Sequence, residues 1–349
     1  MKLSYQVVDL QLALPWATAR TTEPGGLRRS QVVHVSLHDE PSGVTGYGEA
    51  APISRYGESV ASVEAFLGRI DPALLSPDEL ERSAALIEAS APGETAAKCA
   101  LETALLDAAG KRARRPVWEL LNLSPPGTRA ISYTIGIGSV AHVREQVRRA
   151  EPFQVLKLKL GGPDDRAAFH ALRELAPTKT VWVDANEGWR DREQAVRIIE
   201  WVARDPCVEL IEQPLPAGQP EADHCWLFER SPLPVLADES CHRSVDVARV
   251  AGYFHGINVK LTKTGGLLEA KRTLLRARKS GLRTMLGCMI ESSLGIAAAF
   301  QLAGLADYLD LDSHLLLAND PFTGLAFKNG QLQFAAVSPV PGLGVMARK

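Results

Sequence analysis

No stretch of this 349-residue chain approaches 18 uninterrupted apolar residues, so the sequence offers no transmembrane helix. It also has almost no net charge: 39 Lys and Arg stand against 41 Asp and Glu, a formal balance of −2, with the signs mixed along the chain. That balance removes the electrostatic case for a nucleic-acid or membrane-surface partner. Cysteine is scarce, with five residues and no CxxC pair, and the odd count points to free thiols in a reducing cytoplasm. The eight histidines show no HxH or HExxH spacing, which removes the common zinc patterns. Neither a P-loop nor a GxGxxG pattern occurs, so the glycine pairs at 161–162 and 265–266 read as tight strand-to-helix turns rather than phosphate loops. The opening residues, MKLSYQVVDLQLAL, alternate like a strand and lack the continuous apolar core of a signal peptide.

What is present is the composition of a globular protein, 46% apolar and 23% charged, in a chain long enough for two units. Residues 1–126 read as an α+β unit, with strands at 3–14 and 31–38 and helices near 58–69, 77–89 and 94–113. The last helix is rich in alanine and leucine, which are strong helix formers. SPPGTR at 124–129 marks a boundary. Over 127–319 short apolar strands alternate with amphipathic helices, and strand ends are expected at Thr134, Lys159, Asp184, Glu212, Asp238, Lys260, Cys288 and Asp310. The steps between them, 25, 25, 28, 26, 22, 28 and 22 residues, match consecutive βα units. Eight such strands predict a closed parallel barrel with its reactive groups at the C-terminal strand ends. The remainder, 320–349, has hairpin-like strands and is expected to return to the first unit.

The stretch VLKLKLGG (155–162) places Lys157 and Lys159 on one face of a strand otherwise suited to burial. Buried lysine needs a partner. Asp184 in VWVDAN, Glu212 in ELIEQP and Asp238 in PVLADES close three successive strands. Singly, each acid could cap a helix. Together they form an oxygen donor set for Mg²⁺. Lys159 and Lys260, from opposite sides of the barrel, would then suit proton transfer at a carbon next to a carboxylate, with burial and nearby charges expected to bring a lysine towards neutrality. Lys157 would face the growing negative charge. Ion pairing with the three acids is the alternative role for these lysines. Lys263 has the wrong strand parity for the face of Lys260 and reads as a bystander.

The pieces KLK, VDAN, EQP, ADES and IxxKxxKxGG resemble the muconate-lactonizing-enzyme subgroup of the enolase superfamily, over nearly the whole chain. The resemblance implies a modified TIM-type (β/α)7β barrel with an α+β capping domain, and a lysine base working beside Mg²⁺. YLDLDSH carries a DxD pattern, Asp310 and Asp312, that resembles the dipeptide epimerases, L-Ala-D/L-Glu epimerases in particular. That likeness implies a small-molecule dipeptide partner, with peptidoglycan recycling as the setting. Asp310 and Asp312 would hold the ammonium end of the dipeptide, and Arg20 in ATARTTEP (17–24) would pair with the glutamate side chain. Thr134 and the backbone at Cys288 match substrate-contacting positions, and ISRYGES (53–59) matches a covering loop. ESS at 291–293 and SHLLL after the DxD pair depart from some relatives. A cycloisomerase, an o-succinylbenzoate synthase or an N-acylamino acid racemase would share the lysines and metal acids, so the DxD pair discriminates among them. A non-catalytic barrel that binds a metal or small acid is the alternative of a different class. A homo-oligomer is left open.

Overall fold

The computed structural model describes residues 1–21, 23–335 and 340–348. Thr22 of the ATARTTEP loop and residues 336–339 of the hairpin-like tail lie outside the described residues. The chain begins with an antiparallel sheet of β1 (Lys2–Trp16), β2 (Leu27–Asp39) and β3 (Val44–Ala50). Helices α1 (Val60–Leu67), α2 (Leu80–Ala89) and α3 (Thr95–Ala113) follow. The third strand, VTGYGEA, went unread in the sequence because glycine is a poor strand former. Its glycines have a packing role: a Cβ at Gly46 would lie 2.0 Å from the Ala104 carbonyl oxygen, and one at Gly48 2.0 Å from that of Ala100. The sheet thus rests directly on the backbone of the alanine-rich α3, and Val33, Val35, Leu37, Phe66, Leu101 and Leu105 close this first core.

A short helix, α4 (Val117–Leu120), and β4 (Arg129–Ala130) lead to eight parallel strands: β5 (Ser132–Ile135), β6 (Val155–Lys159), β7 (Thr180–Asp184), β8 (Val208–Glu212), β9 (Val235–Ala237), β10 (Gly256–Lys260), β11 (Arg283–Gly287) and β12 (Tyr308–Asp310). Each expected strand end falls within one residue of its observed place. Seven helical crossovers join the eight strands, and among the described residues no α-helix follows β12, which gives the (β/α)7β barrel. Neighbouring strands are hydrogen-bonded from β5 through to β12. The β5–β12 seam is closed by side chains instead: Ser132 donates to Asp310 at 2.8 Å, and the Thr134 N–H donates to Asp312 at 2.6 Å.

The tail forms β13 (Phe322–Thr323), β14 (Leu325–Lys328), β15 (Gln331–Phe334) and β16 (Met346–Ala347). Phe322 packs against His34 and Tyr47 of the first sheet, and the Leu343 N–H donates to Asp107 on α3 at 2.8 Å. The ESS segment serves the same junction: Ser292 donates to Glu49 on β3 through its N–H at 2.9 Å and through its hydroxyl, and Glu49 also meets His34 at 2.7 Å.

Candidate active site

Because strand side chains alternate, residues two apart share a face. Val155, Trp182, Leu210, Leu236, Met285 and Tyr308 meet as an apolar layer inside the barrel. Two residues further along the same strands stand Lys157, Asp184, Glu212, Asp238 and Asp310, with Lys159 and Lys260 beside them. The lysines of VLKLKLGG therefore point into the barrel, where carboxylates meet them.

Lys157 lies 3.1 Å from Asp184, 2.8 Å from Glu212 and 2.6 Å from Asp310. Lys159 lies 2.6 Å from Asp184, and Lys260 2.9 Å from Asp238. Lys159, Lys260, Lys157, Asp238, Asp310 and Asp312 line one cavity of about 230 Å³, together with Thr134, Cys288 and Arg20. Asp184 and Glu212 are wholly buried against the ammonium groups that line it. Eleven residues singled out in the sequence thus converge on one place. Thr134 and Cys288 also act in the wall: the Cys288 thiol donates to the Asp310 carbonyl oxygen at 3.2 Å.

Charge and burial set the acidities here. Burial and the Asp184 charge push Glu212 up to about 7, while burial and the Asp310 charge push Asp312 up to about 7. Burial likewise pushes Asp184 up, but Lys159 and Lys157 outweigh it and hold that carboxyl below the usual range. The expectation that burial would carry a lysine towards neutrality is reversed at Lys260. Burial pushes it down, yet Asp238 and Glu212 outweigh burial and hold its ammonium above the usual lysine range.

The donor set suits a hard divalent cation. Three carboxylates on adjacent strands are 0%, 0% and 1% exposed, and the buried Glu212 Oε2 accepts no hydrogen bond although it lies near the Lys157 ammonium. Asn258 donates to Glu212 Oε1 at 2.9 Å and orients that acid from behind. Among the described residues no group of three or more His, Cys, Asp and Glu side chains is arranged to hold a metal ion. The carboxylates instead turn to lysine ammonium groups, Asp184 and Glu212 sharing Lys157 and Asp238 meeting Lys260, the response expected of neighbouring like charges.

Sequence reasoning missed several members of the site. Lys263 is no bystander: it is 1% exposed and donates to Asp238 Oδ1 and the Asp238 carbonyl oxygen at 2.6 Å each, to Asn258 O at 3.0 Å and to Cys241 O at 3.1 Å. Strand parity was the wrong rule, because β10 ends at Lys260 and Leu261–Thr264 is a helical turn. In such a turn a residue three places on returns to the same side. Arg20 reaches the cavity, but its guanidinium meets Glu187 at 2.8 Å and Glu239 at 3.1 Å. The glycine turns hold the chain's own carboxylates: Gly161 and Gly162 donate to Asp165 at 2.9–3.0 Å, and Glu102 of α3 accepts the Leu268 N–H at 2.9 Å beside Gly266.

Comparison with known proteins agrees with this geometry. Residues 3–122 match the mandelate racemase / muconate lactonizing enzyme N-terminal domain, and residues 140–349 the enolase C-terminal domain-like family. The chain is 45% identical to an L-Ala-D/L-amino acid epimerase of Pedosphaera parvula over 349 residues, all of both chains. It superposes on the L-Ala-D/L-Glu epimerase of Bacillus subtilis, solved as a substrate-liganded complex, with a TM-score of 0.90 and 28% identity, covering 99% of this chain and 98% of that one. A dipeptide epimerase of Enterococcus faecalis, solved with Mg and L-Leu-L-Tyr, gives 0.87 and 27%, covering 99% and 98%. Barrel, cap and charged strand ends, taken with these matches, place the chain in the enolase superfamily, within its mandelate racemase / muconate lactonizing enzyme family.

Proposed function

We propose that this protein is a Mg²⁺-dependent dipeptide epimerase, working in the cytoplasm, that inverts the α-carbon of the C-terminal residue. L-Ala-D-Glu and L-Ala-L-Glu, as in peptidoglycan recycling, are its first substrates. The observation that carries the reading is the placement of Lys159 on β6 and Lys260 on β10, four strands apart in an eight-stranded barrel, on one cavity walled by Asp310 and Asp312. Named relatives that act on L-Ala dipeptides, one of them similar over its full length, support it.

Asp184, Glu212 and Asp238 would hold the magnesium ion. When bound, it supplies positive charge that steadies the substrate carboxylate while the adjacent carbon is deprotonated. Lys159 and Lys260 face the α-carbon from opposite sides, so one accepts its proton as an amine while the other, as an ammonium, returns a proton to the far face. The roles exchange for the other epimer. The Lys157 ammonium opposes the charge growing on the carboxylate. Asp310 and Asp312 present carboxylates to the dipeptide ammonium, and Thr134 and Cys288 support that wall. Arg20 sits where a substrate side chain would enter.

Incubation with L-Ala-L-Glu and a dipeptide library in D₂O with Mg²⁺ tests the reading. Deuterium should appear at the α-carbon of the C-terminal residue, in both epimers. No exchange with any dipeptide, or exchange that survives Lys159→Ala combined with Lys260→Ala, would overturn it. Turnover of the dipeptide unchanged by Asp312→Asn would redirect the assignment to an N-acylamino acid racemase, whose substrate has no ammonium group to bind.

A further inference from the structure

Two loops of the capping unit reach the rim of the barrel, and both end on the same carboxylate. Glu187 Oε2 accepts from Arg20 Nη1 at 2.8 Å and from Arg55 Nε at 3.0 Å. Its Oε1 accepts from Arg55 Nη2 at 2.9 Å and from the Ala217 N–H at 2.7 Å. The Glu187 side chain is only 7% exposed, whereas those of Arg20 and Arg55 are 34% and 43% exposed. The fixed part of the contact therefore belongs to the barrel, and the reaching part to the loops.

The backbone is shaped for this contact. Asn186 and Glu187 take φ of 42° and 66°, left-handed values that non-glycine residues adopt only at a cost. The Glu187 N–H is anchored on Gln213 O at 2.9 Å, which links the loops after β7 and β8. A glycine notch lies alongside: a Cβ on either Gly161 or Gly188 would come within 2.8 Å of the Ala19 Cβ, so the loop tip sits where only glycine leaves room. Each loop also carries its own turn, by Thr18 and Thr21 in one and by Ile53 with Tyr56 in the other, and Arg20 makes a second ion pair with Glu239 at 3.1 Å. Both loops line the cavity, through Arg20 and through Ile53 and Tyr56.

We infer that Glu187 is a positioning residue: its carboxylate bolts both capping loops over the site through Arg20 and Arg55, and so governs how tightly substrate is enclosed. Charge carries most of the contact, because three of its four donors are guanidinium N–H groups. The kinetic part of the test rests on the proposed epimerase activity; the exchange part does not.

Hydrogen–deuterium exchange of the substrate-free protein reads the bolt directly. Glu187→Gln keeps an acceptor for Ala217 but removes the charge. Exchange in peptides covering Ala17–Thr21 and Ile53–Ser59 should quicken about tenfold, while the β6 and β10 peptides stay unchanged. Arg20→Gln with Arg55→Gln should have the same effect with Glu187 intact, and adding Glu187→Gln to that pair should change nothing further. In turnover, Glu187→Gln should raise KM about tenfold with kcat altered less than about threefold. Loop exchange unchanged in both variants would overturn the inference, as would full additivity of the three substitutions or a loss confined to kcat. If no dipeptide is turned over, the function proposed above fails while the exchange measurement still decides the bolt.

Discussion

Two layers of side chains fill the inside of the barrel, two residues apart along each strand, and their chemistry is opposite. The lower layer, Val155, Trp182, Leu210, Leu236, Met285 and Tyr308, is apolar. The upper layer packs the carboxylates of Asp184, Glu212, Asp238 and Asp310 against the ammonium groups of Lys157, Lys159 and Lys260. Both layers are largely buried, so burial alone does not separate them. The lower one gains free energy by leaving water. The upper one loses hydration and recovers it only through close pairing. A fold that needed only stability would repeat the lower layer, and the upper one is the mark of a site.

The comparison breaks first if the upper layer proves merely structural. Lys159→Ala and Lys260→Ala should each reduce epimerisation by about 10²–10⁴-fold with the circular dichroism unchanged. The losses should be complementary, because each variant fails to deprotonate one epimer and still exchanges the α-hydrogen of the other. Solvent exchange measured separately on the two epimers checks this. Next in size is Lys263→Met, which strips four hydrogen bonds from beneath the upper layer and leaves Asp238 short of a cation. A loss of about 3–5 kcal/mol in urea unfolding is expected. In the lower layer, Leu210→Ala should cost about 2–5 kcal/mol by cavity formation, while the protein that remains folded keeps its KM. Unfolding and kinetics in parallel separate these two outcomes.

The smallest effect lies outside both layers, at the junction of α3 with the glycine turn. Burial pushes Glu102 up to about 7, against about 4.5 when exposed. The folded state therefore binds this proton more tightly than the unfolded chain does. The stabilising contribution is complete below pH 4.5, fades as pH rises to about 7, and is level above that. Glu102→Gln should flatten this decline by about 1 kcal/mol per pH unit, measured as unfolding midpoints from pH 4 to 8.

Much of this architecture is legible in the residues alone, for a physical reason. Barrel strands are short and here carry charged groups at one end, so Lys159, Asp184, Glu212, Lys260 and Asp310 each close a strand. What escaped was set by tertiary contact. VTGYGEA is interrupted by two glycines, poor strand formers, and becomes a strand because α3 presents a backbone that only glycine can approach. Lys263 belongs to the site because the chain turns helical after Lys260. Arg20 was legible as a rim residue, but its partners Glu187 and Glu239 are 167 and 219 positions away in the chain and no local pattern joins them. The glycine pairs read as tight strand-to-helix turns, and nothing local in them reveals that these turns hold the chain's own carboxylates, Asp165 and Glu102.

Main-chain bonding runs around the barrel from β5 to β12 and stops there, and the last joint is fastened by Asp310 and Asp312 gripping Ser132 and Thr134. The two side chains assigned to capture one end of the ligand are thus also the clasp of the cylinder. On that proposed assignment, anyone retuning which N-terminal residue the pocket accepts would have to install a replacement fastener first, because selectivity and closure would rest on the same two side chains.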